Sequence, residues 1–314
     1  MEDETLTKST IKTRARAPVS LLFDNPKVLG TVMIAPAVIY ILAMVALPLV
    51  MAFVYSFSDI TIGSSHYHFV GLQNLKRIVN DQEFGIALKN TLFFTSVSMA
   101  IVLVLGKILA LLLVKDFKGK FLVRALILMP YVAPISLGVM GWLWMLDSIY
   151  SPINWLLSKS GLFGPDFWPM WLGKPHLAMA SIITVQVWRM LPLATVIILA
   201  GLTSIPQDIQ DAALVDGAGY FRRLFQITVP MMTPIMLVAV LFGIVFTATD
   251  IIIILVLTRG GPFDSTQVLV SMAFYTGIDA GDLAAGAATA LFLFPLLAAV
   301  AIFMLKIARR AEVA

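Results

Sequence analysis

Six stretches of this 314-residue chain are long and apolar enough to cross the hydrocarbon of a bilayer. They lie at roughly 29–57, 90–114, 121–146, 177–203, 230–256 and 283–305. A bilayer core takes about 20 mostly apolar residues per helix. Backbone amides in hydrocarbon find no water, so runs of this length must close their hydrogen bonds internally, as helices. The sequence therefore predicts an all-α integral membrane protein with six transmembrane helices and both termini on one side. Composition agrees: 13% of residues are charged, about half the share in a soluble domain, and mean hydropathy is +0.94.

Lysine and arginine decide which side. With the N-terminus inside, the cytoplasmic segments are 1–28, 115–124, 204–229 and 306–314. They hold fourteen basic residues: Lys8, Lys12, Arg14, Arg16, Lys27, Lys115, Lys118, Lys120, Arg124, Arg222, Arg223, Lys306, Arg309 and Arg310. The outer segments hold six: Lys76, Arg77, Lys89, Lys159, Lys174 and Arg259. That asymmetry follows the positive-inside rule and places both termini in the cytoplasm. The same basic loops account for the net charge of +4, which is no argument for nucleic acid. The division is a cytoplasmic segment 1–28, a membrane domain 29–305 and a cytoplasmic tail 306–314. Residues 1–20 are long and polar for a signal peptide, so the first helix reads as an uncleaved anchor. Cysteine is absent, which excludes disulfides and thiolate metal sites.

The polar stretch 204–229 interrupts two apolar runs and carries the densest pattern in the chain. Pro206 suits the first turn of a helix, with Asp208 near its positive end. Ile209, Ala212, Ala213 and Leu214 offer a face that permits close approach of a partner. Gly217 is placed to end this helix in a left-handed conformation. A second short helix, Tyr220 to Gln226, would present Phe221, Leu224 and Phe225, before Pro230 and Pro234 open helix five.

Elsewhere, prolines 36 and 48 predict a kink in helix one, and Pro130 and Pro134 fall in helix three. Leu72, Leu75, Val79, Phe84 and Leu88 roughly follow helical spacing, which suits a short amphipathic helix at the outer surface or a solvated loop. Trp142, Trp144, Trp155, Trp168 and Trp171 suit an interfacial aromatic belt. The glycines and proline of LTRGGPFDSTQ mark a tight turn.

The spacing at 211–230 resembles the cytoplasmic coupling loop of ABC importer membrane subunits: Glu-Ala-Ala, three residues, Gly, nine residues, then Ile-x-Leu-Pro. Asp211, Ala212, Ala213, Gly217, Ile227 and Pro230 match; Asp211 stands for Glu and Val229 for Leu. ILAGLTSIPQDIQDAALVDGA, LMPYVAPISLGVMGWLWMLDSIYSPINWLL and VLTRGGPFDSTQ are similar to segments of carbohydrate-class permeases. Within that class the last resembles the first subunit of the pair, the maltose, trehalose and glycerol-3-phosphate type. The chain departs at Ile252, where many relatives carry Asp. The resemblance implies a multi-pass subunit of a bacterial cytoplasmic (inner) membrane that pairs with a second, homologous permease. It further implies a cytoplasmic ATPase homodimer and an extracytoplasmic solute-binding protein as partners. ATPase coupling would fall to Asp211, Ala212, Ala213, Asp216, Gly217, Phe221 and Pro230.

No reaction chemistry is visible. Each Gly-Lys pair is followed by Ile108, Phe121 or Pro175, so no phosphate-cradling GxxxxGK[ST] loop exists, and ATP with Mg belongs to the partner ATPase. His66, His68 and His176 lack a carboxylate at ligand spacing, so neither metal nor cofactor is expected on this chain.

Polar groups inside the apolar spans remain to be placed, because hydrocarbon penalises them. Lys107 lies about two turns from the cytoplasmic end of helix two, where snorkelling or a function would explain it. Gln186, Trp188 and Arg189 cluster in helix four; Thr247, Thr249 and Asp250 lie in helix five. Arg189 and Asp250 suit an interhelical ion pair, the solute path, or both. By the resemblance, sugar contacts fall on these two helices, at Gln186, Trp188, Arg189, Met190, Leu193, Gly243, Phe246 and Thr247, with Asp250 alongside. A secondary transporter or channel would instead predict inverted repeats and ion-relay acids, and an intramembrane enzyme a catalytic constellation.

Overall fold

The computed structural model describes residues 25–64, 66–161, 164 and 167–313. The basic residues Lys8, Lys12, Arg14 and Arg16 and the polar segment 1–20 ahead of the expected anchor helix lie outside them. Two compact units divide the chain, Met1–Ala52 and Phe53–Ala314. Among the described residues every regular element is helical, with one isolated antiparallel bridge between Ser58 and Phe69.

The first apolar run forms α1 (Pro26–Ile41) and α2 (Leu47–Ser56), joined by a π turn at Leu42–Ala46 into one helix. The Asn25 side chain caps its start by accepting from the Lys27 amide. The π turn explains how Pro48 is tolerated. Proline removes an amide donor and crowds the preceding turn, and a widened turn ahead of it relieves both. Here the Leu47 amide reaches back to the Leu42 carbonyl.

In the second unit a short helix, α3 (Gln73–Val79), precedes α4 (Gln82–Val114). The predicted amphipathic helix is thus two elements: Phe84 and Leu88 belong to the spanning helix, whose N-terminus Asp81 caps through the Glu83 amide. The third predicted span is not one straight helix. It is a pair, α5 (Lys120–Val132) and α6 (Ile135–Met145), bent by 96°. Pro134 forces the preceding Ala133 out of the helical region (ψ 144), and the chain turns there. Five helices are individually long and apolar enough to cross a membrane, and a sixth exists only if this bent pair counts as one span.

After α7 (Pro152–Lys159) come α8 (Pro175–Thr203), α9 (Gln207–Val215) and α10 (Tyr220–Arg223). A second π turn, Leu224–Thr228, leads into α11 (Val229–Thr249), and Pro230 is accommodated as Pro48 is. The helix axis is therefore continuous from Tyr220, where the sequence had suggested a fresh start at Pro230. It breaks at Asp250, which is extended (ψ 117), before α12 (Ile252–Leu257). Then follow α13 (Leu269–Phe274), α14 (Leu283–Leu291) and α15 (Leu293–Val313).

The main core lies where α4, α6, α8 and α12 meet, around Phe94, Val102, Val139, Ile182, Val185 and Ile253. A second cluster joins α3, α4, α13 and α14 through Ile78, Phe84, Leu269, Met272 and Ala285. The LTRGGPFDSTQ turn is tied to α4, because the Asn90 side chain donates to the carbonyls of Asp264 and Gln267. Inside the turn, the Thr266 hydroxyl bonds Thr258 Oγ1 at 2.7 Å and the Gly261 carbonyl at 2.8 Å.

The tryptophans do not all form a belt. Trp144 and Trp155 are exposed. Trp142 packs on Trp188, and Trp171 donates to the buried Asn154 at 2.7 Å. Both indoles pack against the main core, Trp142 because α6 folds back at the Pro134 bend.

Candidate functional site

Two groups of residues stand out, one on the polar loop after α8 and one inside the bundle.

On the loop, Pro206 sits at the N-cap and α9 starts at Gln207, one residue later than a proline in the first turn would give. Asp208 occupies the first turn, and the Gln207 side chain donates to Asp211 at 3.1 Å. The helix ends in a Schellman turn. The Gly217 amide bonds the Leu214 carbonyl, the Ala218 amide bonds Ala213, and Gly217 is left-handed at φ +75. No atom lies within 4 Å of where a Cβ on Gly217 would stand, so glycine is needed for its backbone conformation alone. Asp216 caps the last turn through its amide.

This turn fixes which side chains face out. Ala213 and Ala218 are buried beneath it, with Ile209 half-buried. Ala212, Asp211 and Asp216 are exposed. The expected docking face is corrected at Leu224, which turns inward. It lines a cavity of about 240 Å³ with Leu111, Val114, Ile205 and Thr228, where the Arg223 Nε is buried without a partner among the described residues. Phe221 and Phe225 do face outward, and so does Val215, at 88% exposure the most open of them. The sequence reading passed over Val215. Its signal was an apolar residue directly before a helix stop, where a solvated loop would carry a polar one. Lys107 on α4 places its ammonium 5.5 Å from the centre of the Phe225 ring, a cation–π contact that links the bundle to this loop.

Inside the bundle, Gln186 on α8 and Thr247 on α11 are each 1% exposed. The Gln186 amide donates to the Thr247 hydroxyl at 2.8 Å, and that hydroxyl points to the Met99 sulfur at 3.8 Å. A Cβ on Gly243, one turn earlier, would meet the end of the Met99 side chain, which would have to shift. Arg189 and Asp250 form an ion pair, their side chains 27% and 5% exposed. Asp250 also accepts the Ile252 amide at 2.9 Å, so one carboxylate caps α12 and binds α8 across the break. Trp188 packs edge-on against Trp142, over Gly138. Met190 is buried, Leu193 half-buried, and Phe246 is half-exposed and stacked on Phe242. Gln186, Gly243 and Thr247 thus meet in one place, Arg189 and Asp250 in another, and Phe246 lies on an open face.

Three further buried polar residues on α4 were missed, and the first of them, Thr91, accepts the Leu269 amide at 2.9 Å. Thr91, Thr95 and Ser98 of α4 are all buried, at the four- and three-residue spacing of one helix face. That spacing was legible in the sequence. The hydroxyls of Thr95 and Ser98 and the Gln186 carbonyl oxygen have no hydrogen-bond partner among the described residues. Thr247→Val is expected to lower the unfolding free energy by about 1–3 kcal/mol, since it strips the Gln186 amide of its acceptor. Thermal melts of the purified protein, with Gln186→Leu/Thr247→Val as the double variant, would show recovery when both partners are removed.

Outside the bundle, the His68 amide donates to Asp59 at 2.6 Å, which together with the His68 ring holds that carboxyl below the usual carboxylate range.

The chain belongs to the family described as binding-protein-dependent transport system inner membrane component, which matches residues 102–313. It is 34% identical over 281 residues to the trehalose/maltose transport system permease protein MalF of Thermococcus litoralis, covering 90% of this chain and 94% of that one. It is 30% identical over 284 residues to the sulfoquinovosyl glycerol transport system permease protein SmoG of Agrobacterium fabrum, covering 90% and 91%. Its fold is similar to a chain of a bacterial ABC transporter involved in the import of the acidic polysaccharide alginate, with TM-score 0.77 at 20% identity, covering 90% and 95%. The chain is a multi-pass permease subunit of an ABC importer, a transport component and not an enzyme.

Proposed function

We propose that this chain forms half of the path for a sugar or sugar-like solute across a bacterial cytoplasmic membrane, both termini inside. A second permease supplies the other half. A cytoplasmic ATPase dimer, which holds the ATP and Mg, docks on the exposed face around Val215 and Phe221. A solute-binding protein delivers from outside. One observation carries this reading: an apolar surface exposed at a glycine-closed turn, on the side that the basic residues mark as cytoplasmic. A freely solvated loop would gain nothing from Val215, Phe221 and Phe225 in the open. The solute class follows the relatives, whose names carry trehalose, maltose and sulfoquinovosyl glycerol.

The path residues are Gln186, Trp188, Arg189, Met190, Leu193, Gly243, Phe246, Thr247 and Asp250. Their support is chemical: an indole to stack on sugar CH faces, and amide, hydroxyl and charged groups to bond hydroxyls. Buried hydroxyls without a partner among the described residues suit a second permease or a hydrated passage beside them.

The test is reconstitution of the four components in vesicles. ATP-driven uptake is expected of the solute that raises the binding protein's melting temperature. A cysteine at Val215 is expected to cross-link to the ATPase. Trp188→Ala is expected to cut uptake by about one to two decades, the usual cost of one stacking or hydrogen-bonding partner, while solute-free ATP turnover persists. ATP hydrolysis by the purified chain alone, or a Val215 cysteine that reacts only from outside, would overturn the reading.

A further inference from the structure

We propose that the groove between α4 and α11 is a binding site for an anionic phospholipid of the cytoplasmic leaflet, with Lys107 holding the headgroup beside the coupling segment. The groove encloses about 310 Å³, and its walls are Leu103, Val104 and Lys107 from α4 and Thr233, Leu237 and Val240 from α11. The two helices run in opposite directions, so Lys107 and Thr233 share the cytoplasmic end. Leu103, Val104, Leu237 and Val240 lie deeper. From Thr233 to Val240 the helix rises about 10 Å, so the groove is polar at its mouth and apolar along its length.

That is the layout of a lipid in the inner leaflet, headgroup outward and acyl chain inward. A soluble anion would use the mouth and leave the apolar walls wet. Lys107 is the one cation among the lining residues, and it makes no ion pair among the described residues. Its stem follows the wall while its ammonium reaches the Phe225 ring, and among the described residues that ammonium has no hydrogen-bond acceptor, which leaves donors for a phosphate. Phe225 belongs to the π turn after α10, so a lipid held at Lys107 also loads the segment on which the ATPase would sit. The choice of leaflet rests on the orientation proposed above.

The test uses the assembled transporter in nanodiscs of phosphatidylglycerol mixed with phosphatidylcholine, with retained lipid read by native mass spectrometry. Preferential retention of phosphatidylglycerol is expected. Lys107→Gln should weaken that retention about fivefold, the worth of one lysine at an anionic surface, and Lys107→Arg should preserve it. Val104 is 59% exposed, so Val104→Trp should fill the groove without disturbing the core and displace the lipid with the charge intact. Free glycerol phosphate in excess should not displace it. The proposal is overturned if Lys107→Gln and Val104→Trp both retain phosphatidylglycerol as before, or if free glycerol phosphate competes fully. It is equally overturned if a cysteine at Val104 cross-links in high yield to the second permease, because a protein then covers the groove. Labelling of a Val215 cysteine from each side reports the orientation independently.

Discussion

Gly217→Val is expected to lower ATP-driven uptake at least about tenfold while the chain still inserts in the membrane at normal levels. The residue sits at φ +75 in the turn that ends α9. A side chain in the left-handed region costs roughly 1–2 kcal/mol, and a β-branched one more, so the Schellman turn would open. Its two return bonds, from the Gly217 and Ala218 amides, would be lost together. Val215 would then leave the position that the buried Ala213 and Ala218 give it. Because the space beyond Gly217 is empty, Gly217→Asn, which tolerates positive φ, should retain most activity. Uptake and ATPase stimulation in vesicles measure the effect. Full transport by the valine variant would remove this turn from the coupling mechanism.

Asp250→Ala should be the most destabilising single change in the bundle, at about 3 kcal/mol, the lower end for breaking a buried pair because Arg189 is partly exposed. It deletes two functions at once, the counter-charge to Arg189 and the acceptor for the Ile252 amide. Asp250→Asn keeps the cap and loses the charge, so it should fall between. If the ion pair dominates, Arg189→Met combined with Asp250→Asn should melt higher than Asp250→Asn alone, since the orphaned charge is gone. Strictly additive losses in detergent melts would mean that the two side chains act separately.

The coarse architecture was open to sequence reasoning because hydrocarbon leaves a long apolar run few options. The turn at Gly217 was equally readable, since one residue type meets one backbone requirement there. What escaped was set by neighbours. Nothing local to Pro134 says by how much the chain will bend, and the 96° turn is what draws Trp142 onto Trp188. Pro230 looked like a helix start because a proline usually is one, until the π turn before it let the helix run through. Leu224 and Phe225 are adjacent apolar residues with opposite fates, and only the packing of α4 and α8 beneath them separates the two. Among the intramembrane polar residues, the pairing of Arg189 with Asp250 was accessible from charge. The meeting of Gln186 with Thr247 depended on helix register, which a single sequence does not reveal.

The unbroken helix from Tyr220 to the kink at Asp250 has a mechanical meaning. At 1.5 Å per residue it is a rod about 45 Å long. A push at Phe221 that the π turn at Leu224–Thr228 did not take up would emerge as tilt or rotation at the far end. There the Arg189–Asp250 pair ties the end of the rod to α8, so any tilt passed along it would bear first on that pair.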